Sequence, residues 1–288
     1  MRRTSVAALC LLLAALAGCS SGSKPSVRPA QPLTATGAYE QALVADGAAA
    51  LWSFRDATHL SAQDEVADLT ASKSAAVVVG GTVAATTGPQ GEVAAQFLRS
   101  GRVVTPIASG LSGSNAFTVE LDLRNDRCVN AWGRVLGTSS DPASGREGFE
   151  LLHYPQQFGT SACRFAVEFW HLNAYLGGCQ PPQRPLVGVW DHWTVVYATG
   201  RVTCYLNGVR FKHETLNAPR TFSQLGPLGI GGSGSGFQGP LDGASVAEVA
   251  VYRRALTPAE VMQHAALART AIGPRPTTAT SPHASPTP

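Results

Sequence analysis

Short runs in which apolar and polar residues alternate, separated by Gly, Pro, Asn and Asp, occupy residues 39–270 of this 288-residue chain. In Phe117–Leu123 every second residue is apolar, and Arg164–Trp170 repeats the pattern. Such alternation is typical of strands with one buried face and one wetter face. Many short strands predict an all-β, two-sheet antiparallel sandwich, and about 230 residues suit one large domain of this kind.

Two local signals fix a hairpin and a helix within this region. Asn207-Gly208 separates two alternating runs, and both residues accept positive φ, so a two-residue turn is predicted. That turn would place Cys204 opposite Phe211 on the core side. Thr257–Glu260 is a capping box with proline at the first helical position, and it predicts a short C-terminal helix that ends near Arg269.

The first 18 residues are typical of a signal peptide. Arg2 and Arg3 precede the apolar run Val6–Ala17, which is shorter than the roughly 20 residues that span a bilayer. The run ends in Leu-Ala-Gly-Cys19, which resembles the lipobox of bacterial lipoproteins; an ordinary signal peptide is the alternative. The resemblance implies that Cys19 is acylated and becomes the mature N-terminus.

Both flanks of the predicted domain have the composition of extended, unfolded chain. Residues 19–38 are rich in Ser and Pro and are expected to form a lipidated N-terminus with a flexible linker. Residues 271–288 are rich in Pro, Thr and Ser and are expected to be a disordered tail. The predicted location is the cell membrane, with the domain lipid-anchored on the extracytoplasmic side.

The charge of the chain excludes two classes of partner. The formal net charge is +3, and loss of Arg2 and Arg3 with the signal peptide would leave +1. A nearly neutral surface lacks the concentrated positive charge that binds nucleic acid or anionic lipid. Membrane attachment is therefore expected through acyl chains alone.

Four cysteines remain once Cys10 and Cys19 are set aside, and export permits disulfides among Cys128, Cys163, Cys179 and Cys204. Three pairings are possible. A turn centred near His171 would place Cys163 opposite Cys179, which predicts a hairpin disulfide. Cys128 and Cys204 are then left either as a second pair or as free thiols, since Cys204 points into the core.

Four segments together resemble the laminin-G-like, concanavalin A-like domains. They are Tyr39–Ala57 (YEQALVADGAAALWSFRDA), Phe117–Leu123 (FTVELDL), Trp190–Tyr197 (WDHWTVVY) and Ala247–Gln263 (AEVAVYRRALTPAEVMQ). The resemblance implies a jelly-roll sandwich that is closed by the C-terminal helix. It also places Trp52, Trp190 and Trp193 in the core and gives His192 a structural role.

No cofactor is required by the sequence, although calcium stays an open alternative. Calcium sites in this superfamily use loop oxygens, but the segment Asp64–Lys73 (DEVADLTASK) and Ala247 depart from the usual ligands. The histidines show no HxH or HExxH spacing, so no metal site is predicted.

One strand resembles the catalytic strand of laminarinase-type glycoside hydrolases, which carries Glu-x-Asp-x-Glu. Here Glu120 and Asp122 are followed by Arg124, so the second catalytic carboxylate is missing. No other catalytic constellation is apparent. The chain is therefore expected not to be an enzyme.

Aromatic side chains are the remaining indication of function, since aromatic rings stack on the apolar faces of sugars. Trp132, Tyr154, Trp170 and Tyr175 have no obvious core role. The expected ligand site is the exposed face of a single sheet, or the loops at its rim, with Trp170, Glu168, Glu120, Asp122 and Tyr175 as the candidate residues.

The predicted function is non-catalytic recognition of a carbohydrate or of another envelope component by a lipid-anchored domain. A structural lipoprotein that binds a protein partner is the alternative, and a glycoside hydrolase is the third candidate.

Overall fold

The computed structural model describes residues 37–55, 59–98, 100–106, 111, 113–128, 132–138, 148–154, 163–183, 185–217, 222, 225–232 and 241–269. The lipidation site Cys19, the linker and the C-terminal tail lie outside these residues. Neither helix in the described part of the chain has the length and apolar character needed to cross a membrane.

Two helices and seventeen strands are found among the described residues. The helices are α1 (Ala38–Ala45) and α2 (Pro258–Arg269). The strands are β1 (Ala50–Trp52), β2 (His59–Leu60), β3 (Glu65–Val66), β4 (Ala76–Val79), β5 (Thr82–Thr87), β6 (Val93–Leu98), β7 (Arg102–Val104), β8 (Ala116–Asn125), β9 (Gly133–Gly137), β10 (Gly148–Tyr154), β11 (Arg164–His171), β12 (Ala174–Cys179), β13 (Trp190–Ala198), β14 (Arg201–Leu206), β15 (Val209–Thr215), β16 (Gly229–Ile230) and β17 (Ala244–Tyr252).

The described strands form two antiparallel sheets packed face to face. The first sheet has the order β15-β14-β13-β8-β17-β6-β5-β2, with β1 also paired to β17. The second has the order β12-β11-β10-β9-β16-β7-β4-β3. The edge strands β12 and β15 approach each other on one side of the sandwich, where Asn217 N–H donates to the carbonyl of Leu176 at 2.9 Å. The predicted two-sheet jelly-roll sandwich is confirmed.

The core lies between the sheets and is built from the alternating apolar residues. Phe117, Val119 and Leu121 of β8 are at most 1% exposed, as are Phe165 and Val167 of β11. Trp52 and Trp193 are core residues as expected. Trp190 is buried as well, but on the outer face of the first sheet, where it packs with Ala94 and Ala247.

Helices α1 and α2 cover the outer face of the first sheet. A second apolar cluster joins them to it, with Tyr39 and Leu43 of α1, Val261 of α2, and Tyr252 and Ala250 of β17 among its members. The helices and the packing of Trp190 against Ala247 together cover the outer face of β17, and all nine of its residues are buried. Alternation along a strand predicts which side chains share a face, but it does not reveal that the second face is covered too.

The predicted hairpin is confirmed, with one correction. Asn207 and Gly208 form the turn at φ 54° and 77°, and Leu206 pairs with Val209. A β-bulge lies between Cys204 and Tyr205, opposite the unpaired Phe211, so that Cys204 pairs with Lys212 and not with Phe211. The extra residue of a bulge shifts the register beyond it by one.

The capping box of α2 forms as predicted. Glu260 N–H donates to Thr257 Oγ1 at 3.3 Å, and Thr257 N–H donates to Glu260 Oε2 at 2.6 Å. The pair satisfies two of the amides that a helix leaves unpaired at its N-terminus.

Candidate functional site

The four unassigned aromatic residues converge on Glu168 at the outer face of the second sheet. The Trp132 ring lies 4.2 Å from that of Tyr154, and the Tyr154 hydroxyl donates to Glu168 Oε1. Trp170 Nε1 donates to Glu168 Oε2 at 3.0 Å, and the Trp170 ring meets Tyr175 edge-on at 5.5 Å. One carboxylate thus fixes two aromatic rings, and each of these rings contacts another.

Strand pairing brings these residues together from different parts of the chain. Trp132 directly precedes β9, and Tyr154 ends β10. In the β11–β12 hairpin Trp170 pairs with Tyr175, although they are five positions apart. Tyr175 and Trp132 are 50% and 46% exposed, which leaves aromatic surface in contact with solvent.

Beside these aromatic residues is a cleft of about 420 Å³. Its residues come from β10, β11, β12 and β15, so it lies where the edges of the two sheets meet: Tyr154, Arg164, Ala166, Val167, Glu168, Tyr175, Gly178, Cys179, Gln180, Lys212 and Glu214. Ala166 is the small residue between Arg164 and Glu168 on the outer face of β11. Gly178 leaves no room for a side chain, because a Cβ there would collide with the Val167 carbonyl. Small residues on β11 and β12 therefore create the depression.

A second cavity of about 280 Å³ continues from the first. It is lined by Arg164, Phe165, Gln180, Pro181, Pro182 and Gln183, so Arg164 and Gln180 belong to both. The two together form a groove along the start of β11 and the end of β12.

The charges of the cleft come from both sheets. Lys212 Nζ and Glu214 Oε2 of β15 form an ion pair at 3.2 Å. Burial raises the pKa of the Tyr175 hydroxyl, and the negative charges of Glu168 and Glu214 raise it further. Tyr175 therefore remains a neutral hydroxyl that can donate and accept hydrogen bonds.

Two disulfides cross between the sheets and flank the cleft. Cys128, beyond β8, bonds to Cys163 at the start of β11, and Cys179 of β12 bonds to Cys204 of β14. The predicted participation of all four cysteines is confirmed, but the predicted pairs Cys163–Cys179 and Cys128–Cys204 are wrong.

The reason for the error is the register of the β11–β12 hairpin. Its turn is at Leu172 and Asn173, and Cys179 pairs with Val167. Cys163 therefore lies four residues beyond the position that faces Cys179. Each cysteine of this hairpin instead reaches a partner from the opposite sheet.

A family model for the concanavalin A-like lectin/glucanases superfamily, of the laminin G type, matches residues 99–262, which is more than half of the chain. The chain belongs to this superfamily. No curated protein sequence matches the chain significantly.

Several solved structures have a fold similar to that of this chain. Domain 4 of AbnA, an extracellular arabinanase from Geobacillus stearothermophilus in complex with arabinotriose, is 21% identical with a TM-score of 0.57; the match covers 76% of this chain and 98% of that one. The binding domain of Paraclostridial Mosquitocidal Protein 1 is 14% identical with a TM-score of 0.56, over 75% of this chain and 51% of that one.

A Trypanosoma rangeli sialidase in complex with 2,3-difluorosialic acid is 16% identical, with a TM-score of 0.55 over 79% of this chain. The chain spans only 34% of that sialidase. At such low sequence identities, these similarities indicate a shared fold and nothing further.

Two residues of the predicted ligand site are placed elsewhere in this superfamily domain. Glu120 and Asp122 lie on the first sheet, whereas Glu168, Trp170 and Tyr175 lie on the second. The expectation of one shared exposed face is wrong. Glu120 is 0% exposed and Asp122 is 1% exposed, because α1 and α2 cover their face of β8.

Glu120 and Asp122 instead belong to a buried chain of alternating charges beneath the two helices. His192 Nδ1 lies 3.0 Å from Asp122 Oδ1, and His192 Nε2 lies 3.4 Å from Glu120 Oε2. His264 Nδ1 lies 3.0 Å from Glu120 Oε1, and its Nε2 lies 2.8 Å from Asp46 Oδ2. His192 therefore has a structural role, as expected: it is a buried cation between two carboxylates.

The pKa values follow from this arrangement. Burial alone would raise the pKa of Glu120, but hydrogen bonds from His192 and His264 lower it to about 2. Burial would lower the pKa of His192, but hydrogen bonds to Asp122 and Glu120 raise it to about 9. The pKa of Asp122 is raised, since burial outweighs its contact with His192.

Several lining residues of the cleft were not predicted from the sequence, namely Arg164, Gln180, Lys212 and Glu214. Alternation identifies them only as outward-facing positions. No local signal shows that β12 and β15 would meet at one edge. Among the described residues, no group of three or more His, Cys, Asp or Glu side chains is arranged to bind a metal ion.

Proposed function

We propose that this protein recognises a glycan without catalysis, at the aromatic cleft of the second sheet, and that it is held at the extracytoplasmic face of the cell membrane by lipid on Cys19. The observation that carries the proposal is the convergence of four aromatic residues on Glu168 beside an open cleft. Exposed rings with fixed planes, next to hydroxyl and amide groups, are what sugar binding requires.

The fixed geometry of the aromatic rings supports recognition. Tyr154 and Trp170 are held by the same carboxylate, so their planes are set before a ligand arrives. A site with preset side chains loses less conformational entropy on binding. The superfamily fold and the arabinotriose complex of the arabinanase domain agree with a carbohydrate ligand.

A non-catalytic role is supported by the state of the carboxylates. Retaining hydrolysis needs a nucleophile and an acid/base on either side of the scissile bond. Glu120 and Asp122 are buried beneath α1 and α2, where no glycan reaches them. In the cleft, both oxygens of Glu168 accept hydrogen bonds, and Glu214 is paired with Lys212.

The position of the helices is compatible with a lipid anchor. Helix α1 begins at Ala38, where the predicted linker from Cys19 ends, and it lies on the outer face of the first sheet. The aromatic residues are on the outer face of the second sheet, on the opposite side of the sandwich. An anchor on Cys19 would thus leave the cleft accessible.

The test of recognition is a glycan array probed with the chain from residue 20 onward. Saturable binding to one group of glycans is the expected result. Complete silence would favour the alternative, in which an envelope protein is the partner. Release of reducing ends from a bound glycan would refute the non-catalytic assignment.

The anchor is tested separately by replacing Cys19 with Ala. The change should abolish labelling with a radioactive fatty acid and leave a precursor of higher mass, because the acylated residue is missing. Unchanged processing and membrane retention in this variant would contradict lipidation at Cys19.

A further inference from the structure

Arg164 lies where the two cavities of the groove meet. It is the first residue of β11, and it lines both the cleft of about 420 Å³ and the cavity of about 280 Å³. Its side chain is partly buried. Within the described ranges, its guanidinium has no ion pair and no hydrogen-bond partner.

The acidic residues of the cleft do not neutralise Arg164. Glu168 is four residues along the same strand, which separates the two Cα atoms by about 13 Å at roughly 3.3 Å per residue. Both oxygens of Glu168 are engaged by Tyr154 and Trp170. Glu214 is paired with Lys212.

On its other side, Arg164 faces a cavity with no carboxylate among its described lining residues. The remaining lining residues there are Phe165, Gln180, Pro181, Pro182 and Gln183. The amide groups of the two glutamines supply N–H donors, and the prolines supply apolar surface. The chemistry of this cavity suits an oxyanion that is attached to a larger, partly apolar ligand.

We infer that the junction at Arg164 binds an oxyanion of the glycan, a carboxylate or a phosphate, so that the ligand of this protein is an acidic oligosaccharide. The planar guanidinium offers paired N–H donors that match both groups. The inference rests on the proposed function: sugar rings pack near Trp170 and Tyr175, and the acidic group reaches Arg164 further along the groove.

Two disulfides hold the backbone on both walls of the groove near Arg164. Its neighbour Cys163 is 1% exposed and is linked to Cys128, and Cys179 on the other wall of the groove is linked to Cys204. The start of β11 is thereby tied to the opposite sheet. The backbone that carries Arg164 is therefore already ordered before an anion binds, which lowers the entropy cost of binding.

The test compares neutral oligosaccharides of glucose, galactose and N-acetylglucosamine with their uronate-bearing and phosphate-bearing counterparts, on one array and then by calorimetry. The chain from residue 20 onward should bind the acidic form of its preferred backbone at least about tenfold more tightly than the neutral form. Raising the salt concentration should reduce this preference, because ions screen exposed charges. The two acidic series show whether a carboxylate or a phosphate is preferred.

Arg164→Gln should abolish the preference for the acidic form, whereas Arg164→Lys should retain part of it. Arg253→Gln is the control, since it removes the same charge from an exposed position after β17. Equal affinity of the unaltered protein for acidic and neutral forms would overturn the inference and leave the proposed function intact. Silence toward every glycan would overturn both. A preference that persists in folded Arg164→Gln would place the anion elsewhere and refute the assignment.

Discussion

Trp170 lies on the face of β11 that the sequence predicted, but the orientation of its ring depends on a hydrogen bond to Glu168. Alternation in β11 put it on the Glu168 side, opposite Phe165 and Val167, and the structure confirms this. Its indole N–H is held by Glu168, which no sequence pattern indicated. The hydrogen bond fixes the ring plane while the ring stays partly exposed.

Replacing Trp170 with Ala should weaken glycan binding by about 1–3 kcal/mol, which is the usual effect of losing an aromatic anchor. The melting temperature should change little, since the ring is outside the core. Calorimetric titration and thermal unfolding measure the two effects. Met262→Ala is the control, since Met262 is 55% exposed on α2, away from the cleft.

Two outcomes would contradict this prediction. If Trp170→Ala unfolds the protein, the indole belongs to the folded core. If the variant is folded and binds the glycan as before, the site lies elsewhere on the molecule.

His192 is a residue whose environment makes a prediction about pH. Its pKa is 6.5 in an ordinary setting and rises to about 9 in the folded protein. Its contribution to stability is therefore fully present below pH 6.5 and is lost as the pH rises through 9. The raised pKa of His264 adds a contribution of the same sign.

The free energy of unfolding should decrease between pH 6.5 and 9, and His192→Gln should reduce this dependence while lowering stability at pH 6.5. Urea unfolding at a series of pH values measures both effects. His213→Gln, at an exposed position on β15, is the control. A wild-type stability that is constant over this interval would contradict the prediction. The alkaline range is the clearer test. In acid, the lowered pKa of Glu120 and the raised pKa of Asp122 change the free energy of unfolding in opposite directions.

At the scale of elements, α2 is the part of the chain that the sequence specifies most completely. Its capping box, its proline at the first position and its end at Arg269 were all predicted and all form. What the sequence did not show is the surface on which it packs. The helix contacts α1 and the outer face of the first sheet, and it brings His264 into the buried charge chain.

Thr257→Ala should lower the free energy of unfolding by about 1 kcal/mol, because it removes the hydroxyl that accepts from Glu260 N–H. Chemical unfolding measures the loss. Thr215→Ala, at the exposed end of β15, makes the same substitution without a cap. Equal effects of the two substitutions would show that the cap contributes no stability.

At the scale of the whole molecule, the two disulfides join the sheets into one unit. They close segments of 35 and 25 residues. Cys179–Cys204 joins β12 of the second sheet to β14 of the first, and Cys128–Cys163 joins the chain after β8 to the residue before β11. Cross-links of this kind limit the freedom of the unfolded chain. They also hold the two walls of the groove, because Cys163 precedes Arg164 and Cys179 lines the cleft.

Peptide mapping without reduction should recover Cys128 linked to Cys163 and Cys179 linked to Cys204. Replacing Cys179 and Cys204 together with Ala should lower the free energy of unfolding by about 2–4 kcal/mol and weaken glycan binding. A recovered Cys163–Cys179 peptide would contradict the pairing described here. Unchanged binding in the double variant would show that the cleft keeps its shape without this cross-link.

By itself the sequence determined the features that depend on neighbouring residues. Alternation assigned Phe117 and Phe165 to the core, Asn207-Gly208 set a turn, and Thr257–Glu260 set the start of a helix, because periodicity and backbone preferences act over a few positions. Tertiary structure alone decided the rest. The covering of Glu120 and Asp122 by helices, the disulfide partners and the joining of Arg164 to the cleft all depend on contacts between residues far apart in the chain. Such contacts depend on how the sheets and helices pack together, and a residue pattern that extends over a few positions does not predict that packing.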